Sequence, residues 1–470
     1  MLLDTLTRKF PNKFGISLVY SYLCRIILTL NPMTDKLVEK RYLLTFILIT
    51  SLFALWGFAN DITNPMVAAF KTTLEISNFK AAFVQFAFYG GYATMAIPAA
   101  LFIRRYSYKV GILIGLGLYA VGAFLFIPAA LYQDFTFFCF SLYILTFGLA
   151  FLETTANPFI MALGSPQTAT RRLNLAQAFN PVGSLTGMVI ASQVVLANLQ
   201  SNDAAVQSAY GVSDFSQLSD SAKEVIRTHD LDTIRNPYVA IGLVVVLMFC
   251  LIAFFVSHKE SKSEGQQSGP RVMESFRRLM KNKVFREGVV AQVFYVAAQI
   301  MCWTFIIQYA QRLGLEKDEA QWFNIGAMSL NLVGRFIGTW LMKYVNARRL
   351  LMIFALCACG TVAGTILIDG MCGLYCLVAT SAFMSIMFPT IYGIALEDVR
   401  QDTTLGAALL VMAIVGGAIM PPLQGALIDL DNTAPGLFGS VSATNFSFIL
   451  PFFCFVLIAV YGYRSMRKSS

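Results

Sequence analysis

From about residue 42 to residue 463 the chain alternates long apolar runs with short polar turns. An apolar run of roughly 20 residues is what an α-helix needs to cross the hydrocarbon core of a bilayer. The pattern predicts twelve spans, at about 42–71, 79–103, 109–131, 135–162, 173–198, 237–257, 287–311, 321–343, 348–369, 371–396, 404–429 and 444–463. Many are longer than a bilayer requires, so tilt or protrusion is expected. Two longer polar stretches interrupt the series. Residues 200–236 are rich in Ser, Ala and Asp; residues 258–286 are basic, begin Gly/Ser-rich, and then read as an amphipathic helix from Val272 to Lys283. The second stretch divides the spans six and six. The expected fold is therefore an all-α membrane protein, with twelve transmembrane helices in two pseudo-symmetric six-helix bundles. The expected domains are an N-terminal segment (1–41), a first bundle (42–257), a linker (258–286), a second bundle (287–463) and a tail (464–470).

The halves echo each other. Arg104-Arg105-Tyr106-Ser107-Tyr108-Lys109 follows the second span, and Lys343-Tyr344-Val345-Asn346-Ala347-Arg348-Arg349 follows the eighth. Both are short basic turns at equivalent places, as in transporters built from repeated six-helix units. Loop charge sets orientation, because Lys and Arg concentrate on the cytoplasmic side. One face carries only Lys71, Lys80, Lys223, Arg227, Arg235, Arg312 and Lys317, and the other carries most of the remaining loop cations. The richer face is read as cytoplasmic, with both termini on it. Before Met33, Arg8, Lys9 and Lys13 precede a mildly apolar stretch interrupted by Arg25. That stretch reads as a peripheral amphipathic segment or an upstream extension.

Composition agrees with the pattern. The chain has 470 residues, 57% hydrophobic and 13% charged, with a mean hydropathy of +0.65; a soluble domain carries about twice that charge. The net charge of +9 lies in loops and does not point to nucleic acid. The nine Cys fall mostly inside apolar runs without metal-ligand spacing, so they read as packing residues, and no metal or cofactor is expected. His229 and His258, the two histidines, lie in polar loops. No nucleophile–base pair is visible within the membrane, and an enzyme is not expected.

Ionisable groups inside the spans are few, and such groups are functional candidates because burying them in lipid is costly. Asp61 lies in the first span, Glu153 in the fourth and Arg335 in the eighth. A shielded carboxyl favours its neutral form, and a change of environment restores the charge. Glu153 and Asp61 are thus candidates to carry a proton. The alternatives are a permanent Glu153–Arg335 ion pair and a structural hydrogen bond for Asp61. For Arg335 the expected role is a state-dependent bond to carbonyls or a carboxylate, with snorkelling to the interface as the competitor.

Helical spacing collects the other polar residues into faces. Asn60 pairs with Asn64, Glu153 with Asn157, and Gln177 with Asn180, while Gln292, Tyr295, Gln299 and Trp303 step along one helix by three or four. Amides beside aromatic rings suit a neutral polyol such as a sugar: amides bind hydroxyls and an indole covers the C–H face. For any one amide, an interhelical hydrogen bond is the competing role.

Leu152-Glu153-Thr154-Thr155-Ala156-Asn157-Pro158-Phe159, followed by Arg172-Leu173-Asn174-Leu175-Ala176-Gln177-Ala178-Phe179-Asn180, resembles the fucose–galactose–glucose:proton symporter family of the major facilitator superfamily. The segments Trp56–Asn64, Gly334–Trp340 and Ala382–Thr390 are similar too. The resemblance implies proton-driven import of a monosaccharide across a bacterial inner membrane, with L-fucose as the expected sugar. It also implies a protonatable Glu153 and sugar-contacting Gln177 and Asn180. Glucose, galactose or an amino sugar, uniport, and a transporter-like nutrient sensor are the alternatives. The partners are then sugar, protons and lipid, and a monomer is expected. Two positions depart from the family pattern. The acid of the first span falls where this chain has Asn64, and the tyrosine of the tenth span is replaced by Phe388.

Overall fold

The structure is a computed structural model that describes residues 36–76, 83–210, 212, 215–256, 272–315, 317–399, 402–433 and 442–467. The segment before Met33, linker residues 258–271 and the last three residues lie outside this range. In chain order the principal helices are α1 (Leu43–Thr73), α2 (Phe83–Arg105), α3 (Tyr108–Phe124), α4 (Phe135–Ala162), α5 (Ala169–Gln177), α6 (Asn180–Ile190), α7 (Asp220–Phe255) and α8 (Val272–Lys281). There follow α9 (Lys283–Arg312), α10 (Lys317–Leu341), α11 (Ala347–Leu367), α12 (Met371–Met384), α13 (Met387–Leu396), α14 (Thr403–Met412), α15 (Gly416–Thr433) and α16 (Ile449–Arg467). Among the described residues there is no strand.

Among the described residues, ten helical stretches are long and apolar enough to cross a membrane. The second and eighth expected spans are filled by α2 and α10, helices of 23 and 25 residues. The apolar character of α10 is diluted by Gln321, Asn324, Asn331 and Arg335.

Several expected boundaries shift. The sixth span begins at Asp220 rather than near 237, because a polar stretch continues the helix beyond its apolar part. The seventh begins at Lys283, where the Asn282 side chain accepts from Val284 N (3.0 Å) and Phe285 N (3.2 Å). The fifth and tenth spans are each broken in two, as α5–α6 and α12–α13. Proline explains both breaks. It has no N–H, so it leaves the carbonyl four residues earlier without a helical partner: Pro181 frees Gln177, and Pro389 frees Ser385.

The basic turns that echo in sequence echo in structure. Ser107 accepts from Val110 N (3.3 Å) to cap α3, and Asn346 accepts from Arg348 N (2.9 Å) to cap α11. Such caps satisfy backbone donors a helix start leaves orphaned.

Each half has its own hydrophobic core, but the first extends through Tyr392, Leu396, Leu405 and Leu410 of α13 and α14. At the end carrying the basic turns, here the basic end, the halves therefore share one core. There α14 packs on α2 and α4, and α13 on α5. Arg171 Nε donates to Thr339 O (3.2 Å), and Asn174 Nδ2 to Thr390 Oγ1 (3.2 Å). The linker helix α8 straps this end. Its Ser275 accepts from Arg104 Nη1 (3.1 Å), and its Arg278 forms a two-pronged pair with Asp402 (2.8 and 2.9 Å). Burial alone would raise the Asp402 carboxyl. Hydrogen bonds from Arg278 and Ser275, with the Arg278 and Arg104 charges, carry it below its ordinary value.

The opposite end is tied within the first half. Fully buried Asp230 accepts from Gln200 N (2.8 Å), Ser201 N (3.0 Å) and Thr73 Oγ1 (3.4 Å). Glu75 pairs there with Lys223 and Arg227.

Candidate functional site

Within the first half, α1 and α6 approach until their backbones touch. A Cβ on Gly57 would stand 2.1 Å from Asn180 O, and one on Gly183 would stand 1.8 Å from Ala54 O. Only glycine permits this approach. It places the start of α6, with Asn180 and Ser184, directly against the polar face of α1.

A cavity of about 140 Å³ opens between the halves at this level. From the first half it is lined by Asn60, Asp61, Glu153, Gln177 and Asn180, and from the second by Gln299, Trp303 and Arg335. Residues predicted from five separate spans are thus brought together.

Their contacts are specific. Asn60 Nδ2 donates to Asp61 Oδ1 (3.3 Å), and the Ser184 hydroxyl lies beside the same carboxyl. Asn180 Nδ2 donates to Phe53 O (3.3 Å). Trp303 Nε1 donates to Ser381 Oγ (3.1 Å), which holds the indole on the wall. Glu153 is fully buried, and neither of its oxygens has a hydrogen-bond partner. A permanent Glu153–Arg335 ion pair is therefore not formed.

Arg335 is spent elsewhere. Its Nη1 donates to Gln177 O (2.7 Å) in the first half, and its Nε to Ser385 O (2.7 Å) in the second. These are the two carbonyls freed by Pro181 and Pro389. The side chain is 4% exposed, so snorkelling to the interface does not describe it.

Three predicted residues do not line the cavity. Asn157 sits behind it, its Oδ1 accepting from Gln177 Nε2 (2.9 Å). Tyr295 donates to Met384 O (3.1 Å) inside the second half, and Gln292 is fully buried there. Asn157 and Gln292 lie about a turn beyond the lining residues Glu153 and Val296, whereas Tyr295, the neighbour of Val296, is directed into the second half. The Asn64 side chain is outside the described set.

Other lining residues were not singled out as site residues: Trp56, Tyr89, Tyr92, Asn331 and Phe388. Two signals were available in the sequence. Tyr89 and Tyr92 are spaced i, i+3 in α2, and Asn331 and Arg335 are spaced i, i+4 in α10. Asn331 Nδ2 donates to Ser381 O (3.2 Å), so Ser381 anchors both Trp303 and Asn331.

A helical bundle closed at one end, with carboxyls, amides and indoles meeting between its halves, is the architecture of a membrane transporter rather than an enzyme. The chain belongs to the Major Facilitator Superfamily, whose sequence model matches residues 47–421. It is 59% identical over 435 residues to the L-fucose-proton symporter of Haemophilus influenzae, covering 93% of this chain and 99% of that protein. It is 34% identical to the L-fucose-proton symporter of Escherichia coli, covering 92% and 95%. The crystal structure of the transporter FucP in the outward conformation superposes with a TM-score of 0.79 at 33% identity, covering 90% of this chain and 99% of that one.

Proposed function

We propose that this protein is a proton-coupled sugar symporter that imports L-fucose by alternating access. The observation that carries the reading is Glu153: a fully buried carboxyl without a partner, on the wall of a cavity lined also by amides, indoles, tyrosines, Asp61 and Arg335. An unpaired carboxyl in that setting holds a proton in one state and releases it in another. The similarity to L-fucose-proton symporters supports both the coupling ion and the sugar.

Glu153 and Asp61 carry or gate the proton. The sugar contacts Asn60, Gln177, Asn180, Gln299 and Trp303, and Asn157 holds Gln177 in place. Arg335 is the gating residue that joins the halves. The functional unit is a monomer of two six-helix domains (42–257 and 287–463), joined by the 258–286 linker. It sits in a bacterial inner membrane with both termini cytoplasmic, so the packed basic end faces the cytoplasm. This arrangement is outward-facing.

The test is alkalinisation of the medium by lightly buffered, de-energised cells expressing the protein. L-fucose should trigger it, and D-glucose and D-galactose should do so weakly or not at all. A medium pH that stays flat with every sugar overturns symport.

A further inference from the structure

A row of buried polar groups continues beyond Glu153 toward the basic end. One turn along α4, Asn157 has its Oδ1 fixed by Gln177, while its Nδ2 has no partner. That amide lies beside the hydroxyl of Tyr392, which is fully buried on α13 and also unpartnered. Tyr392 is within electrostatic reach of both Glu153 and Tyr108. It stands one turn beyond Phe388, a residue of the central wall, and the two rings stack at 6.4 Å.

A second cavity, of about 870 Å³, lies on the far side. Its lining includes Tyr108, Pro158 and Gly393, the last two being the chain neighbours of Asn157 and Tyr392. Asn157 and Tyr392 thus form the septum between two cavities, with Glu153 on one side and Tyr108 on the other. Glu153, Asn157 and Tyr392 each leave a buried polar atom unpaired, a costly arrangement.

We infer that Tyr392 is the proton relay between Glu153 and the second cavity, with Asn157 as the residue that positions it. The inference rests on the symport reading above. In the step, the Glu153 O–H bond breaks as its proton passes to the Tyr392 oxygen. The Tyr392 O–H bond breaks in concert, and its proton bonds to water in the second cavity. Tyr392 is neutral before and after, and the charge leaves as a hydrated proton. Two unpartnered donors, the Tyr392 hydroxyl and the Asn157 amide, are available to the carboxylate that remains once they move within hydrogen-bond distance of it.

The experiment is Tyr392→Phe, which removes one oxygen and keeps the ring. It is compared with wild type in two assays: L-fucose counterflow, which requires folding and sugar exchange without net proton movement, and L-fucose-induced alkalinisation. Counterflow is expected to stay within about twofold. Alkalinisation and uphill accumulation are expected to fall by about tenfold or more, since a placed proton-transfer group contributes about 10²–10⁴-fold. Alkalinisation at the wild-type rate overturns the relay. So does an equal loss in both assays, which marks Tyr392 as structural. A wild type that never alkalinises the medium fails at the symport reading itself and takes the relay with it, whereas a coupled wild type with an unimpaired variant refutes the relay alone.

Discussion

Arg335 reaches across the molecule to the carbonyl of Gln177, at 2.7 Å, and that carbonyl is free because Pro181 cannot donate to it. A matching bond to Ser385, freed by Pro389, completes the bridge. One guanidinium thus joins broken helices of opposite halves. Hydrogen bonds to a charged group contribute about 1.5–3 kcal/mol each, and 1.4 kcal/mol is a factor of ten in an equilibrium. Arg335→Ala should therefore shift the conformational equilibrium away from closure at the basic end by about tenfold or more. Thiol labelling at Thr390→Cys, fully buried against Asn174 at the basic end, in a background without other cysteines, reads that opening. Unchanged labelling would remove Arg335 from the gate.

Glu153→Gln keeps shape and polarity and removes the exchangeable proton. Counterflow of L-fucose should persist while accumulation against a gradient is lost. Asp61→Asn tests the other carboxyl in the same pair of assays. Loss of coupling places Asp61 in the proton path, and normal proton uptake returns it to packing against Asn60 and Ser184.

The α1–α6 contact predicts a graded response to small side chains. Gly183→Ala places a methyl 1.8 Å from Ala54 O, and overpacking of this kind costs about 1–3 kcal/mol. Gly117→Ala on α3 meets nothing within 4 Å and should be neutral or stabilising, by up to about 1 kcal/mol. Thermal unfolding of purified protein in detergent should rank Gly183→Ala well below wild type and Gly117→Ala at or above it.

The α8 strap predicts a pH signature. The Asp402 carboxyl is held below its ordinary value. Its contribution is complete above the usual carboxylate value of about 3.9 and is lost as pH falls through the depressed one. Asp402→Asn should lower the melting temperature by a constant amount from about pH 5 to 8, and the gap should close in acid. Since the Arg278 side chain is about half exposed, the gap should be small. A gap that widens in acid contradicts this sign.

Much of this architecture is legible in the sequence, and the exceptions have physical causes. The fourth span is read residue for residue because Asp134 and the Gly164-Ser165-Pro166 turn flank a long, mostly apolar run. The start of α7 is hidden because a helix leaving the membrane loses its apolar signal without losing its hydrogen bonds. In the site, period 3.6 identifies a face but not a depth. Gln292 is on the same face as Gln299 but about 10 Å away along the axis, at 1.5 Å per residue, and falls where the second half is solid. Tyr89 and Tyr92 are not distinctive in the sequence, because tyrosines in an apolar helix look like packing. The prolines four residues after Gln177 and Ser385 are plain in the sequence, but that one arginine serves both carbonyls depends on how the halves meet.

The septum between the two cavities also has an electrical meaning. Water filling both cavities would carry the membrane voltage inward, so most of the drop would fall across the layer at Asn157 and Tyr392. A proton crossing that layer takes up most of the roughly 2.3 kcal/mol that 100 mV supplies per charge, over a few ångströms instead of the full bilayer. The layer that holds the basic end shut is then also where the transporter draws on the membrane voltage.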